Sequence, residues 1–180
     1  MTILPFNFKF YICGRYELEK IKDKNINYFI GFNHPGQKEP YTYDNVSAIL
    51  GDVKYFVTHE VHDTFIESHR KTGYKMPDVN LINSIIESGV VIESLLKKGK
   101  NINLAVCCYA GISCSTAAAY IILCYLLGEW YEQDAKSLVL SRRDIAKPNP
   151  LMVKIADEQL ACNWKMVAPW KNYLDFKEKE

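Results

Sequence analysis

Six cysteines fall at positions 13, 107, 108, 114, 124 and 162, and three of them lie between Cys107 and Cys114. That short stretch reads Cys107-Cys108-Tyr109-Ala110-Gly111-Ile112-Ser113-Cys114, with Ser115 next. Ala110, Gly111, Ser113 and Ser115 are small enough to let a backbone curl tightly. Successive N–H groups of such a loop converge, and a helix starting at its end adds its dipole, so the loop can cradle an oxyanion. A cysteine that opens the cradle has its thiolate stabilised by the same donors, which makes it a nucleophile near neutral pH. Cys108 holds that position.

The elements on either side suit this chemistry. Ile102 to Val106 is a short, nearly all-apolar run, as expected of a central strand buried on both faces. Cys114 to Leu127 is apolar all round, as only a buried helix tolerates. Upstream, Phe6 to Gly14, Asn27 to Phe32 and Lys54 to His62 carry strand signals. A short charged helix is expected over Tyr16 to Asp23, and another helix over Tyr43 to Leu50. The stretch Asn33-His34-Pro35-Gly36 reads as a turn. From Asn80 to Leu96 apolar residues recur at three- and four-residue steps, a long helix closed by Lys97-Lys98-Gly99. Two further helices, Tyr131 to Arg143 and Pro150 to Leu160, are separated by Lys147-Pro148-Asn149-Pro150. The pattern predicts one α/β domain with a central, mainly parallel sheet flanked by helices and the loop at the sheet's C-terminal edge.

A chain of 180 residues suits a single domain. Its 48% hydrophobic and 24% charged residues exclude a disordered or disulfide-scaffold class. A net charge of +1 offers no field to hold nucleic acid or an anionic membrane, so neither is expected as a partner. Asn7 and Lys9 break the N-terminal apolar run well short of a secretory signal or a membrane span. A cytoplasmic setting with reduced thiols follows as the expectation.

The segment VCCYAGISCSTAAA resembles the signature loop of the cysteine-dependent protein tyrosine and dual-specificity phosphatases, His-Cys-x5-Arg-Ser/Thr. It is particularly similar to the small bacterial form HCxAGISRSTAAA. The order of strands and helices from Phe6 onward and the later RRDIAKPNP resemble the same family. The resemblance implies a phosphatase-like domain over residues 1–162, with 163–180 as a partly packed extension whose end is frayed. It implies Cys108 as nucleophile and the loop Tyr109, Ala110, Gly111, Ile112, Ser113 and Cys114 as the phosphate-binding segment. Ser115 would hydrogen-bond the thiolate or leaving group, or serve only as a helix N-terminal serine. No metal or cofactor is implied, and the partner would be a phosphorylated protein or a small phosphoester.

Two positions depart from the family. Cys107 stands where it has histidine, and Cys114 stands where it has arginine. The resemblance implies that this arginine grips the phosphate through a planar fork and neutralises transition-state charge, which a cysteine cannot do. Losing one oxyanion donor costs roughly 10²–10³ in rate, so weak hydrolysis or a catalytically inactive binding module is expected. A redox role for Cys108 with Cys107 or Cys114 is a third reading.

The general acid implied by the family has two candidates: Asp63, after the third strand, and Asp78, which would also suit a helix N-cap. Asp63 is preferred. Arg142 and Arg143 are half of the four arginines and would either lean toward the anion site or sit exposed at a helix C-terminus. Cys13, Cys124 and Cys162 read as small buried hydrophobes. His59 and His62 would point to opposite strand faces, and one loop supplies too few ligands for a closed zinc site, so no metal is expected. The aromatic stretch Trp164 to Tyr173 is expected to pack back onto the core.

Overall fold

A computed structural model describes residues 4–171. Four parallel strands form one sheet: β1 (Phe8–Gly14), β2 (Tyr28–Asn33), β3 (Tyr55–Glu60) and β4 (Ile102–Cys108), in the spatial order β1-β4-β2-β3. The apolar run of β4 thus lies between two neighbours, as its composition requires. The period-two alternation of a strand sends Leu104, Val106 and Cys108 to one face and Ala105 and Cys107 to the other.

Helices cover both faces. On the larger side lie α3 (Val79–Lys97), α4 (Cys114–Leu127), α5 (Glu132–Arg142) and α6 (Pro150–Gln159), packed with Phe8, Phe10, Ile30 and Leu104. On the smaller side, a 3-10 helix (Arg15–Lys24) and α1 (Tyr43–Leu50) bury Leu18, Ile21, Val46 and Leu50 against Phe29 and Ala105. The short charged helix expected after β1 is present and takes the tighter 3-10 form. A five-residue helix, α2 (Glu67–Lys71), was not expected, being too short to show a periodicity.

α4 is buried from Cys114 through Cys124, which accounts for its lack of a polar face. By length and composition α3 could cross a membrane, but here Ile82, Ile85 and Ile92 lie wholly inside the larger core. The C-terminal aromatic stretch divides. Trp170 is fully buried, edge-on to Tyr120 at 5.5 Å, while Trp164 is exposed. Residues 172–180, including the end expected to fray, lie outside the described residues.

The expectation of reduced thiols is corrected at one pair. Cys13 and Cys107 form a disulfide with their Cα atoms 5.0 Å apart. Parallel pairing of β1 with β4 sets the two residues directly opposite each other, which is the separation a disulfide needs. Cys13 is therefore buried as expected, but as half of a cross-link. Cys107 faces the core opposite to Cys108, so it is no partner for that sulfur.

Candidate active site

The end of β4, the loop after it and the start of α4 build the floor of the site. The Gly111 N–H donates to Cys108 Sγ at 3.2 Å. Ser115 Oγ lies 3.1 Å from the same sulfur, placed so that its hydroxyl can donate to a thiolate. The Gly111 N–H and the Ser115 hydroxyl thus meet at one atom. Tyr41 supports the strand end from below, its hydroxyl donating to the Cys108 carbonyl at 3.0 Å. Burial pushes the Tyr41 phenol pKa up, keeping it a neutral donor.

Gly111 is required by geometry. Its φ is +71°, and a Cβ there would stand 2.5 Å from the Gly14 nitrogen and 2.6 Å from the Cys13 carbonyl carbon. The loop turns tightly because it passes directly over the end of β1.

Arg143 grips the loop from behind. Its Nε donates to the Gly111 carbonyl at 3.1 Å and its Nη2 to the Ala110 carbonyl at 2.8 Å. Carbonyls held on the outer side turn their peptide N–H groups toward the concave side. Nη1 pairs with Glu17 at 2.9 Å, and Glu17 in turn accepts the Gly14 N–H at 2.7 Å. That backbone hydrogen bond, with those from Lys20 and Arg143, lowers the Glu17 pKa to about 2 against the opposing effect of burial. Arg143 is thus neither an exposed helix-end residue nor a ligand for the anion. Arg142 lies over the Phe10 ring at 5.5 Å and has no place in the cavity.

A cavity of about 610 Å³ opens in front of the loop, lined by Cys108, Tyr109, Ala110, Ile112, Ser113 and Cys114 from below, with Phe32, His34, Val61 and Asp63 around the sides. Asp63 Oδ1 accepts from the Ser113 hydroxyl at 2.6 Å and from Asn149 Nδ2 at 2.8 Å. Both donors meet at one carboxylate oxygen, which fixes the Asp63 side chain at the cavity edge. Asp78 instead accepts the Leu81 N–H at 2.9 Å as the N-cap of α3. The two aspartates are separated in this way: Asp63 borders the cavity and Asp78 caps a helix.

Cys114 is buried at the helix start. Burial first, then the Asp63 charge and Cys108, push its thiol pKa well above the ordinary value, so it stays neutral. Burial raises Cys124 likewise, and Cys162 to about 11. His59 lies half-buried against Phe32, its pKa lowered by burial and then by Lys75. Among the described residues no three His, Cys, Asp or Glu side chains converge as a metal site would need.

Sequence reasoning missed Glu17, Tyr41 and the side chain of Asn149. Asn149 had a signal, since asparagine between two prolines at a helix start is a capping residue, and its Oδ1 does accept from Leu151 and Met152 N–H. Tyr41 reaches Cys108 across 67 residues and Glu17 reaches Arg143 across 126, separations that no local pattern marks.

No family model and no curated protein matches the chain. Solved structures do. Human DUSP28 superposes with a TM-score of 0.57 at 16% identity, over 86% of this chain and 92% of that one. Tk-PTP in its active form gives 0.54 at 17% identity, over 87% and 95%. The human tyrosine phosphatase-like serine/threonine/tyrosine-interacting protein gives 0.53 at 18%, over 84% and 87%. With the parallel sheet, the flanking helices and the loop between β4 and α4 already described, these likenesses show that the chain has the fold of the tyrosine and dual-specificity phosphatases.

Proposed function

We propose that the protein hydrolyses phosphoesters slowly through a cysteinyl-phosphate on Cys108. The observation that supports this most is the convergence of the Gly111 N–H and the Ser115 hydroxyl on the Cys108 sulfur in a cavity that also contains Asp63. In the first step the Cys108 sulfur attacks phosphorus, the bond to the leaving oxygen breaks, and Asp63 gives that oxygen a proton. In the second step water attacks phosphorus and returns a proton to Asp63. The S–P bond breaks, the thiolate reforms against Ser115, and phosphate leaves.

The loop N–H groups of Tyr109 to Cys114 would hold the phosphoryl oxygens, while Cys114 brings no positive charge. Slow turnover follows from that missing charge. The proposed substrate is a phosphorylated protein or a small phosphoester, the proposed setting is the cytosol, and the chemistry calls for no metal or cofactor. A cytosolic setting would keep the Cys13–Cys107 pair under reducing pressure.

The neutral Cys114 also favours a second reading, a pseudophosphatase that binds phosphate or a phosphorylated partner without turnover. Acid quenching during incubation with an aryl phosphate, followed by peptide mass mapping, separates the two. The expected result is one phosphoryl group on the Cys108 peptide and slow product release, both absent in Cys108→Ser. Binding without a trapped phosphoryl group supports the second reading, and turnover undiminished in Cys108→Ser would overturn the first.

A further inference from the structure

The cavity lacks the charge that a phosphate needs. Its lining contains no lysine and no arginine, and it includes one carboxylate, Asp63. Arg143 is spent on the loop carbonyls and Arg142 lies over Phe10. Arg15 sits over the Tyr41 ring at 5.2 Å and 3.9 Å from Glu39. One lining residue can become a cation, and it is His34.

His34 is held at the cavity by a built turn. The Gln37 N–H donates to the His34 carbonyl at 3.0 Å, and the His34 N–H donates to the Gln37 side-chain oxygen at 3.0 Å. Pro35 follows His34, and Gly36 has φ +75°, the arrangement of a type II turn. The imidazole is oriented as well. Its Nδ1 lies 2.9 Å from the Pro35 carbonyl, which can only accept, so Nδ1 carries a hydrogen. The remaining nitrogen, Nε2, gains a hydrogen, and with it a donor and a positive charge, only when the ring is protonated.

Resting on the proposed phosphate-binding role of this cavity, we infer that His34 supplies the cation missing at Cys114, making oxyanion binding dependent on protonation of one imidazole. The site then takes a dianion while that imidazole is protonated and releases it when the proton leaves. The strand order explains the placement. β2 lies beside β4, so the turn that leaves β2 borders the loop that leaves β4.

Other ionisable groups face this imidazole, and each has a distinct signature. The His62 ring meets it edge-on at 4.6 Å, with Tyr74 against the far side of His62 and the Lys75 N–H donated to His62 Nδ1. Asp63 and, from the loop, Cys108, Tyr109 and Cys114 line the same cavity. Lys38 and Glu39 follow on the turn itself. A Cys108 thiolate would also repel an anion at higher pH, so the test must separate it from His34.

Sulfate is a suitable probe because it remains a dianion whether or not the imidazole is protonated. Its binding to the full chain is measured by calorimetry at pH 6 and pH 8, for the native protein, His34→Gln, His34→Lys, His62→Gln and Cys108→Ser. The expected result is binding about tenfold tighter at pH 6, the scale of one charge-assisted hydrogen bond. In His34→Gln the binding should be weak at both pH values, and in His34→Lys it should persist at pH 8. His62→Gln should keep the native pH dependence, and in Cys108→Ser, where no thiolate can form, binding should still be tighter at pH 6 than at pH 8.

Sulfate binding that is unchanged in His34→Gln, or a pH dependence that disappears in His62→Gln or Cys108→Ser, overturns the role of His34 and leaves the phosphate-binding reading standing. Absence of sulfate binding at both pH values, in His34→Lys as well, overturns both. His34 is exposed, so the variants are expected to keep the native far-ultraviolet circular dichroism.

Discussion

The two sides of the signature loop are built from opposite materials. Behind it, a guanidinium fork from Arg143 holds two loop carbonyls, Glu17 balances that fork and ties it to Gly14, and a disulfide fastens the β1 end to the strand that presents Cys108. In front, at Cys114, there is a neutral buried thiol and no fixed positive charge in the cavity lining. The contrast teaches that the shape of this loop and the charge at its mouth are separable. The shape is held from behind by Arg143 and Glu17, while the residue at the front, Cys114, contributes no charge.

The largest expected effect on that contrast comes from opening the disulfide. Cys13 and Cys107 are 94 residues apart, and closing a loop of that size raises the free energy of the unfolded state by up to about 4–5 kcal/mol in the chain-entropy account. Denaturant unfolding with and without a phosphine reductant should show a midpoint shift in that direction, and equal midpoints would remove the cross-link from the description of the rear side.

Next comes Arg143→Ala. It deletes two hydrogen bonds to loop carbonyls and one of the partners of Glu17, with an expected loss of about 1.5–3 kcal/mol. It should also slow alkylation of Cys108 by iodoacetamide relative to the native chain, because the N–H groups facing the sulfur lose their alignment. Lysine at this position should rescue only part of either effect, since it has no planar fork. An Arg143→Ala chain with native stability and native Cys108 reactivity would show that the loop holds its shape unaided.

The smallest effect is at Glu17. A carboxyl held at about 2, below its ordinary 4.5, contributes stability that is fully present above pH 4.5 and is lost as the pH falls toward 2. Acid titration of unfolding should therefore be steeper in that window for the native chain than for Glu17→Gln. Parallel curves would dissociate Glu17 from the rear network.

Much of this was legible in the sequence where a signal is local. The all-apolar run from Cys114 to Leu127, the periodicity from Asn80 to Leu96 and the small residues of the loop each fix an element without help from elsewhere. Asp63 was reached through the resemblance, and it does border the cavity beside Ser113. What was not legible depends on pairing between distant segments. Cys13 meets Cys107 only through the register of two parallel strands, and Arg143 meets Glu17 across 126 residues. His34 was visible as part of a turn, yet its place at the cavity follows from β2 lying next to β4, which no local pattern encodes.

Turnover of an aryl phosphate by Cys114→Arg, measured beside the native chain with Cys108→Ser as the blank, tests the separation of shape from charge most directly. If the cradle is intact and lacks only its front charge, restoring the guanidinium should raise the rate by at least about 10², the scale of one oxyanion donor. A Cys114→Arg chain that folds as the native one does and shows no gain would contradict the account, because the loop would then be deficient in shape as well as in charge.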